Sequence, residues 1–260
     1  MACLLFLQTP VTAFAVDLNE EFELRKTLPI QSNEIENWPD GPIVGAQGAI
    51  LMEANTGTIL YEKNIHEKLY PASTTKIMTC LLAIENCSLD EMVTFSADAV
   101  FGIEPGSSNA GIDVGEQISM EECLYIILMY SANEVTAGVG EHIAGSMDAF
   151  IDMMNNRAKE LKMENTVFKN CNGLDEEGHL TSAYDVAVMS AELMKHEKIF
   201  EYTNIWIDTL RGGETQIVNT NKLLKSYDGI TGLKTGTTGE AGSCISATAT
   251  RNDMSLVAVV

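Results

Sequence analysis

Strand-like segments lie at both ends of the 260-residue chain, and helix-like segments fill the stretch between them. Two short β-prone runs, residues 49–52 and 58–61, flank an Asn-Thr-Gly turn and predict a hairpin. Three further strand-like runs follow Tyr227: GITGLKTGT, GSCISATATR and SLVAVV. The pattern predicts an α/β fold whose sheet joins the early hairpin to the last strands, with a helical region inserted at about residues 80–226.

The inserted region has helical periodicity over most of its length. A helix is predicted from Ser73, because apolar residues then recur at helical spacing, at Ile77, Leu81 and Ile84. Further helices are predicted in SMEECLYIILMYSANEVTAGVGEHI, SMDAFIDMMNNRAKELKM and SAYDVAVMSAELMKH, and Ser119 with Glu122 predicts a capping box. Residues 16–44 are polar, contain three prolines and show no clear period, so they are interpreted as a lead-in to one domain spanning residues 45–260.

Charge and leader composition restrict the functional classes. The chain has 37 acidic and 16 basic residues, a net charge of −21, which disfavours binding to nucleic acid or anionic lipid. Residues 1–15 are apolar and end in Ala-Phe-Ala, which predicts a secretory signal peptide although its basic n-region is missing. We therefore expect an exported protein.

The cysteine pattern favours neither a metal site nor a redox site. Five of the six cysteines follow the predicted signal peptide, and no Cys-x-x-Cys pair occurs. Cys80 and Cys87 lie two turns apart on one predicted helix, about 10 Å along its axis, which is too far for a disulfide. We expect buried free thiols, no metal and no cofactor.

Ser73 and Lys76 are candidates for a nucleophile and its base. Residues three apart share one face of a helix, so the amine of Lys76 can reach the hydroxyl of Ser73. A lysine with the usual pKa of about 10.4 must lose roughly three units to act as a base near neutral pH, a bias of about 4 kcal/mol. Burial and a second cation can both supply that bias. The alternative is a helix N-cap serine beside a solvated lysine.

A second motif, Lys234-Thr235-Gly236, lies on a predicted strand. Lys234 would provide the second cation, and Thr235 a hydroxyl donor suited to a substrate carboxylate. Gly236 would let a ligand approach the backbone closely.

A third motif, Ser-x-Asn or Tyr-x-Asn, occurs three times, at residues 107–109, 131–133 and 202–204. Only the second directly follows a strongly apolar helical run, CLYIILMY, which would hold a turn rigidly against the core. We therefore select Ser131 and Asn133, and expect the other two to be a loop and a helix end.

Along the chain the motifs follow the order Ser73-x-x-Lys76, Ser131-x-Asn133 and Lys234-Thr235-Gly236. In that order they form the set typical of penicillin-binding proteins and class A β-lactamases. The chain resembles most the serine-type D-alanyl-D-alanine carboxypeptidases, or low-molecular-mass penicillin-binding proteins. The resemblance runs from about residue 45 to residue 260 and includes ANTGTILYEKN, PASTTKIMT, PGSS, SANE, NGLDEEGHLTSAYDVA and DGITGLKTGTTGEAG. One departure is Cys171, where the family usually has proline. The resemblance implies a β-lactamase/transpeptidase-like fold with an antiparallel sheet. It also implies that the exported protein acts at the extracytoplasmic face of a bacterial membrane or in the cell wall.

The resemblance also implies catalytic roles. Ser73 would attack the terminal D-Ala-D-Ala peptide bond of a peptidoglycan stem peptide, and Lys76 would accept its proton. Ser131, supported by Lys234, would pass a proton to the departing amine. β-Lactam antibiotics would acylate the same serine and so inhibit the enzyme.

Substrate-binding roles follow from the same resemblance. Asn133 would bind the peptide backbone of the substrate, and Thr235 with Lys234 would hold its terminal carboxylate. The backbone N–H groups of Ser73 and Thr237 would form the oxyanion hole.

Two alternative functions share these motifs, a β-lactamase and a β-lactam sensor. A class A-like β-lactamase needs a deacylating glutamate, typically in Glu-x-x-Leu-Asn, and the nearest match, at Glu177, lacks the asparagine. A non-catalytic β-lactam sensor or wall-binding module would be acylated by the drug without turnover.

The family continues into a closing helix and often into a membrane anchor, so we expect a C-terminally truncated sequence with any anchor beyond its end.

Overall fold

The computed structural model describes residues 18–210, 213 and 215–260. The predicted signal peptide lies outside the described residues. The α-helices are α1 Leu18–Lys26, α2 Lys76–Asn86, α3 Ala97–Phe101, α4 Met120–Tyr130, α5 Asn133–Ala144, α6 Met147–Glu160, α7 Ala183–Met194 and α8 Ile199–Thr203. Short 3-10 helices span Gln31–Glu34, Ala72–Thr75 and Lys222–Lys225. The strands are β1 Ala49–Glu53, β2 Ile59–Lys63, β3 Met92–Thr94, β4 Gln117–Ser119, β5 Ile207–Leu210, β6 Thr215–Val218, β7 Ile230–Thr238, β8 Gly242–Arg251 and β9 Met254–Val259.

A five-stranded sheet joins the two ends of the chain, as the sequence predicts. Its order is β2-β1-β9-β8-β7, and every neighbouring pair is antiparallel. The early hairpin meets the last strand through β1 and β9, with Leu51 opposite Ala258. The predicted hairpin and the three predicted C-terminal strands are all confirmed, and β7, which contains Lys234, lies at one edge of the sheet.

The inserted region is helical, and α2 lies at its centre. All but the last three residues of α2 are buried, and this helix packs against α4, α5 and α7. The capping box of Ser119 and Glu122 begins α4, as predicted. Buried methionines fill this core rather than forming a separate site (Met78, Met120, Met129, Met154 and Met189).

The lead-in segment contains structure that its sequence did not reveal. Residues 16–44 show no clear period, but α1 forms there, with acidic residues in its first turn and basic residues in its last, which suits the helix dipole. The buried Lys63 on β2 donates from its Nζ to the carbonyl of Arg25 at 2.6 Å and to that of Val44 at 2.7 Å. These bonds tie the lead-in to the sheet, and the boundary at residue 45 stays a prediction.

Two predicted properties of the chain can be compared with the described residues. All five cysteines there are free thiols (Cys80, Cys87, Cys123, Cys171 and Cys244), and three of them are buried. No described helix combines the length and apolar character needed to cross a bilayer.

Candidate active site

Ser73 lies in the 3-10 turn Ala72–Thr75, which leads directly into α2. The Nζ atom of Lys76, the first residue of α2, is 2.9 Å from the Oγ atom of Ser73. The same Nζ donates to the carbonyl of Asn172 at 2.7 Å, and the Lys76 side chain is fully buried. The alternative of a solvated lysine is therefore wrong, and the N-cap residue of α2 is Thr75, which makes no side-chain capping bond.

Two buried lysines set the electrostatics of the site. Burial lowers the pKa of Lys76 well below its ordinary value, and the nearby positive charge of Lys234 lowers it further. Lys234 is fully buried on β7, and its Nζ donates to the carbonyl of Thr235 at 2.8 Å. Burial lowers the pKa of Lys234 to about 8. The lowered pKa makes Lys76 a better proton acceptor than an ordinary lysine, while Lys234 remains mostly charged at neutral pH.

Gly236 is the point where β7 approaches Ser73. A Cβ atom at this position would lie 2.5 Å from the backbone nitrogen of Ser73 and 2.8 Å from the Cβ atom of Ala72. The sequence predicts a close approach by a ligand, but the group packed against Gly236 is the Ser73 turn itself. Glycine here lets β7 fix the position of Ser73, and places Thr237, which is exposed, next to it in the strand.

Thr235 lies on the same strand with its hydroxyl pointing to Thr220. Its Oγ1 atom donates to the Oγ1 atom of Thr220 at 2.6 Å, and the backbone nitrogen of Thr220 donates to the carbonyl of Met129 at the end of α4. This contact connects β7 to the helical region. Both hydroxyls can reorient toward a bound anion, because a threonine hydroxyl rotates freely.

Ser131 and Asn133 occupy a tight break between α4 and α5. Ser131 is buried and has a left-handed backbone (φ 69°), and Asn133 begins α5. The backbone nitrogen of Asn133 donates to the carbonyl of Ser108, and Glu134 accepts from the backbone nitrogen of Ala110. These two bonds hold the loop that contains Ser107 against the break.

Asn133 carries an unused hydrogen-bonding atom. Its Oδ1 atom is buried and has no partner, and the same is true of one carboxylate oxygen of Glu134. Unpaired buried polar atoms cost about 1–3 kcal/mol, so such an atom is typical of a binding site. The negative charge of Glu134 raises the pKa of Lys76, but burial and the charge of Lys234 lower that pKa by more.

The two rejected copies of the third motif lie where the sequence predicts. Ser107 is in a loop, and its Oγ atom donates to the carbonyl of Glu104. Tyr202 and Thr203 form the last turn of α8, which ends before Asn204. Neither segment has the buried break seen at Ser131.

A loop that sequence reasoning did not assign to the site, residues 171–173, packs against the Ser73 turn and the start of α2. Gly173 has a φ of +87°, and a Cβ atom there would lie 1.8 Å from the carbonyl oxygen of Ala72. The neighbouring Asn172 accepts from Lys76, and Cys171 accepts from the hydroxyl of Thr79 on α2. Cys171 is buried and keeps this backbone contact, although the family usually has proline at its position.

His179 is the second contact that sequence reasoning missed. Its Nε2 atom lies 2.9 Å from the Oγ1 atom of Thr75, and its Nδ1 atom accepts a hydrogen bond from the backbone nitrogen of Lys169 at 2.9 Å. Burial lowers the pKa of His179 to about 4, so the ring is neutral and Nε2 donates to Thr75. The sequence feature that could have indicated His179 is its position in NGLDEEGHLTSAYDVA, one of the segments that resemble the carboxypeptidase family. Thr75 and Ser73 belong to the same turn, so His179 helps to fix that turn.

Comparisons with known proteins agree with this geometry. A sequence model of a family described as D-alanyl-D-alanine carboxypeptidase matches residues 35–260. The chain is 44% identical over 222 residues to the D-alanyl-D-alanine carboxypeptidase DacF of Bacillus subtilis, with 83% of this chain and 57% of that protein covered. It is 36% identical over 234 residues to DacC of Escherichia coli, with 86% and 58% covered. The chain thus spans less than three fifths of the length of these curated relatives.

Solved structures show the same likeness. The structure of penicillin binding protein 6B from Escherichia coli superposes with a TM-score of 0.80 at 32% identity, covering 87% of this chain and 74% of that one. Penicillin-binding protein D2 from Listeria monocytogenes, solved in its cefotaxime-bound form, gives a TM-score of 0.76 at 29% identity, with 85% and 91% covered. These structures confirm the predicted β-lactamase/transpeptidase-like fold.

Proposed function

We infer, from the premise that this chain belongs to the D-alanyl-D-alanine carboxypeptidase family, that it removes the terminal D-alanine from peptidoglycan stem peptides through an acyl-enzyme. One observation carries the proposal: the buried Nζ atom of Lys76 lies 2.9 Å from the Oγ atom of Ser73, beside the second buried cation of Lys234. A serine hydroxyl becomes an effective nucleophile only when such a base is in reach.

Acylation is the first half of the proposed reaction. Lys76 takes the proton from the Ser73 hydroxyl as its Oγ atom attacks the carbonyl carbon of the penultimate D-alanine. The backbone N–H groups of Ser73 and Thr237 stabilise the resulting oxyanion; each such donor is worth about 3–4 kcal/mol in comparable sites. The proton taken up by Lys76 returns through the hydroxyl of Ser131 to the departing nitrogen, the C–N bond breaks, and free D-alanine leaves. Water then hydrolyses the ester to regenerate Ser73 and release the shortened peptide.

Substrate binding uses the edge of the sheet. Within the described residues β7 pairs only with β8, so its other edge can accept an extended peptide as an added strand. The unpaired Oδ1 atom of Asn133 would accept from the substrate backbone. Lys234, with its pKa of about 8, and the hydroxyl of Thr235 would hold the terminal carboxylate.

The proposal also covers inhibition by β-lactams, the bounds of the catalytic domain and the location of the protein. β-Lactams carry a strained carbonyl next to a carboxylate, so they would acylate Ser73 in place of the stem peptide. Residues 45–260 would form the catalytic domain, with residues 1–15 as a signal peptide. The protein would act outside the cytoplasm, where stem peptides are found.

D-Alanine release tests the proposed activity. The protein is incubated with a peptide ending in D-Ala-D-Ala, and free D-alanine is measured over time. We expect many turnovers per molecule, none with the Ser73→Ala variant, and none with a peptide ending in L-Ala-L-Ala. A single equivalent of acylation without further release would instead identify a β-lactam sensor.

The lifetime of the penicilloyl adduct separates a carboxypeptidase from a β-lactamase. Glu177, the nearest sequence match to a deacylating glutamate, is an exposed loop residue. Glu177→Gln should change the decay rate of the adduct by no more than a few-fold, whereas loss of a true general base costs roughly 10²-fold or more. Rapid decay in the wild type that Glu177→Gln abolishes would identify a β-lactamase.

A further inference from the structure

Three side chains with different metal-binding atoms meet at the end of the helical region opposite the catalytic motifs. Cys87 directly follows α2, Glu91 directly precedes β3, and His142 lies in the last turn of α5. The thiol sulfur, a carboxylate oxygen and an imidazole nitrogen all lie within 4.8 Å of one another. Each donor comes from a different structural element, so the cluster depends on the fold and not on local sequence.

The backbone around the cluster is well fixed. The nitrogen of Cys87 donates to the carbonyl of Ala83, which closes the last turn of α2. One carboxylate oxygen of Glu91 accepts from the backbone nitrogen of Ser88 at 2.6 Å, so the other oxygen is directed to His142, 3.1 Å away. Two of the three donors are therefore already oriented toward each other before any ion binds.

We propose that Cys87, Glu91 and His142 bind one zinc ion, with a water molecule in a fourth position. Zinc takes thiolate, imidazole and carboxylate donors at about 2.0–2.3 Å in a tetrahedral arrangement, which places the donors about 3.3–3.8 Å from one another. The observed spacing needs only small side-chain rotations to reach that geometry. A thiol donor disfavours calcium and magnesium, which prefer oxygen.

The effect of the ion follows from the helices that it would connect. Lys76 begins α2 and Asn133 begins α5, while the cluster lies at the opposite ends of both helices. Eleven residues of helix separate Lys76 from Cys87, about 16 Å along the axis. The bound ion therefore does not touch Ser73; it joins the far ends of the two helices that carry catalytic groups, and stabilises the folded state by mass action.

No pattern in the sequence indicates this site, and the sequence predicts no metal. The donors lie at positions 87, 91 and 142, without the short Cys-x-x-Cys or His-x-x-x-His spacing that marks zinc sites. The simplest alternative is an ion pair between Glu91 and His142 next to an uninvolved thiol.

Cobalt substitution tests the site independently of catalytic activity. The reduced, metal-free protein is titrated with Co²⁺, and thiolate coordination is followed by its near-ultraviolet charge-transfer band. We expect one Co²⁺ per chain, displaced by one equivalent of Zn²⁺. Cys87→Ser should abolish the band, and His142→Ala should weaken binding at least tenfold, since loss of even outer-shell partners costs 10–100-fold. Cys244→Ser and His196→Ala are matched controls that should bind as the wild type does.

Alkylation of the wild-type protein provides a second measurement without any variant. Iodoacetamide labelling of the half-buried Cys87, located by peptide mapping, should slow at least tenfold in the presence of Zn²⁺, while labelling of Cys244 should not change. Absence of a charge-transfer band, a band that persists in Cys87→Ser, or unchanged labelling of Cys87 would each overturn the zinc site and leave only the ion pair.

Discussion

Gly236→Ala should slow acylation of Ser73 more than any other single methyl addition on β7. The added Cβ atom would lie 2.5 Å from the Ser73 backbone nitrogen, whereas ordinary contacts of this kind begin near 3.4 Å. The Ser73 turn must therefore move by about 1 Å. A misplacement of that size typically costs about 10²-fold in rate, because the reacting atoms lose their alignment.

The same clash should lower stability. Overpacking by one methyl group costs about 1–3 kcal/mol, and each kcal/mol lowers the melting temperature of a domain of this size by about 2–4 °C. The assay is the second-order rate constant of acylation by a fluorescent penicillin, measured well below the melting temperature of the variant. Loss of folded protein then makes no contribution to the measured rate.

Gly239→Ala is the matched control. Its Cβ atom would meet only a carboxylate oxygen of Asp175, at 3.8 Å, which is an ordinary contact. We expect this variant to acylate within about twofold of the wild type. If Gly236→Ala also acylated at a near-normal rate, the inference that β7 fixes the position of Ser73 would be wrong.

Three further predictions concern the ionisable groups. Lys76→Arg should lower the acylation rate as much as Lys76→Ala, about 10²–10⁴-fold, because guanidinium stays protonated; near-normal acylation by the arginine variant would show that another group is the base. The acylation rate should fall at low pH as Lys76 gains a proton and fall again above about pH 8 as Lys234 loses one, which a pH–rate profile will show. Above pH 6.5 His179 is neutral in the folded and in the unfolded protein. Between pH 6.5 and 4 its imidazole binds a proton only in the unfolded protein, because burial lowers the pKa in the folded protein to about 4. The free energy of unfolding should therefore fall by about 3 kcal/mol over that range. Denaturant titrations of wild type and His179→Gln should show a different pH dependence of the free energy of unfolding in that range alone, whatever the constant difference between them; an equal pH dependence would contradict the buried neutral ring.

Local patterns explain why much of the fold could be predicted. Short β-prone runs around a turn predict the β1–β2 hairpin, and helical spacing brings Lys76 one turn beyond Ser73. The apolar run before Ser131 correctly distinguishes the buried break from two similar tripeptides. Each of these signals is confined to about ten residues.

The remaining features depend on contacts between distant residues. His179 and Thr75 are 104 residues apart, and Asn172 and Lys76 are 96 residues apart, so no local pattern connects them. The sequence predicts a close approach at Gly236, but it does not show that the Ser73 backbone is the group that packs there. Short or polar elements, such as α1 and the β5–β6 hairpin, carry too few apolar residues to show a period.

Location of the β-lactam adduct tests the central claim most directly. The protein is incubated with a labelled penicillin, its intact mass is measured, and the label is located by peptide mapping. We predict one adduct per chain, on Ser73, and none in the Ser73→Ala variant. An adduct on Ser107 or Ser131, or one that persists in Ser73→Ala, would contradict the assignment of Ser73 as the nucleophile.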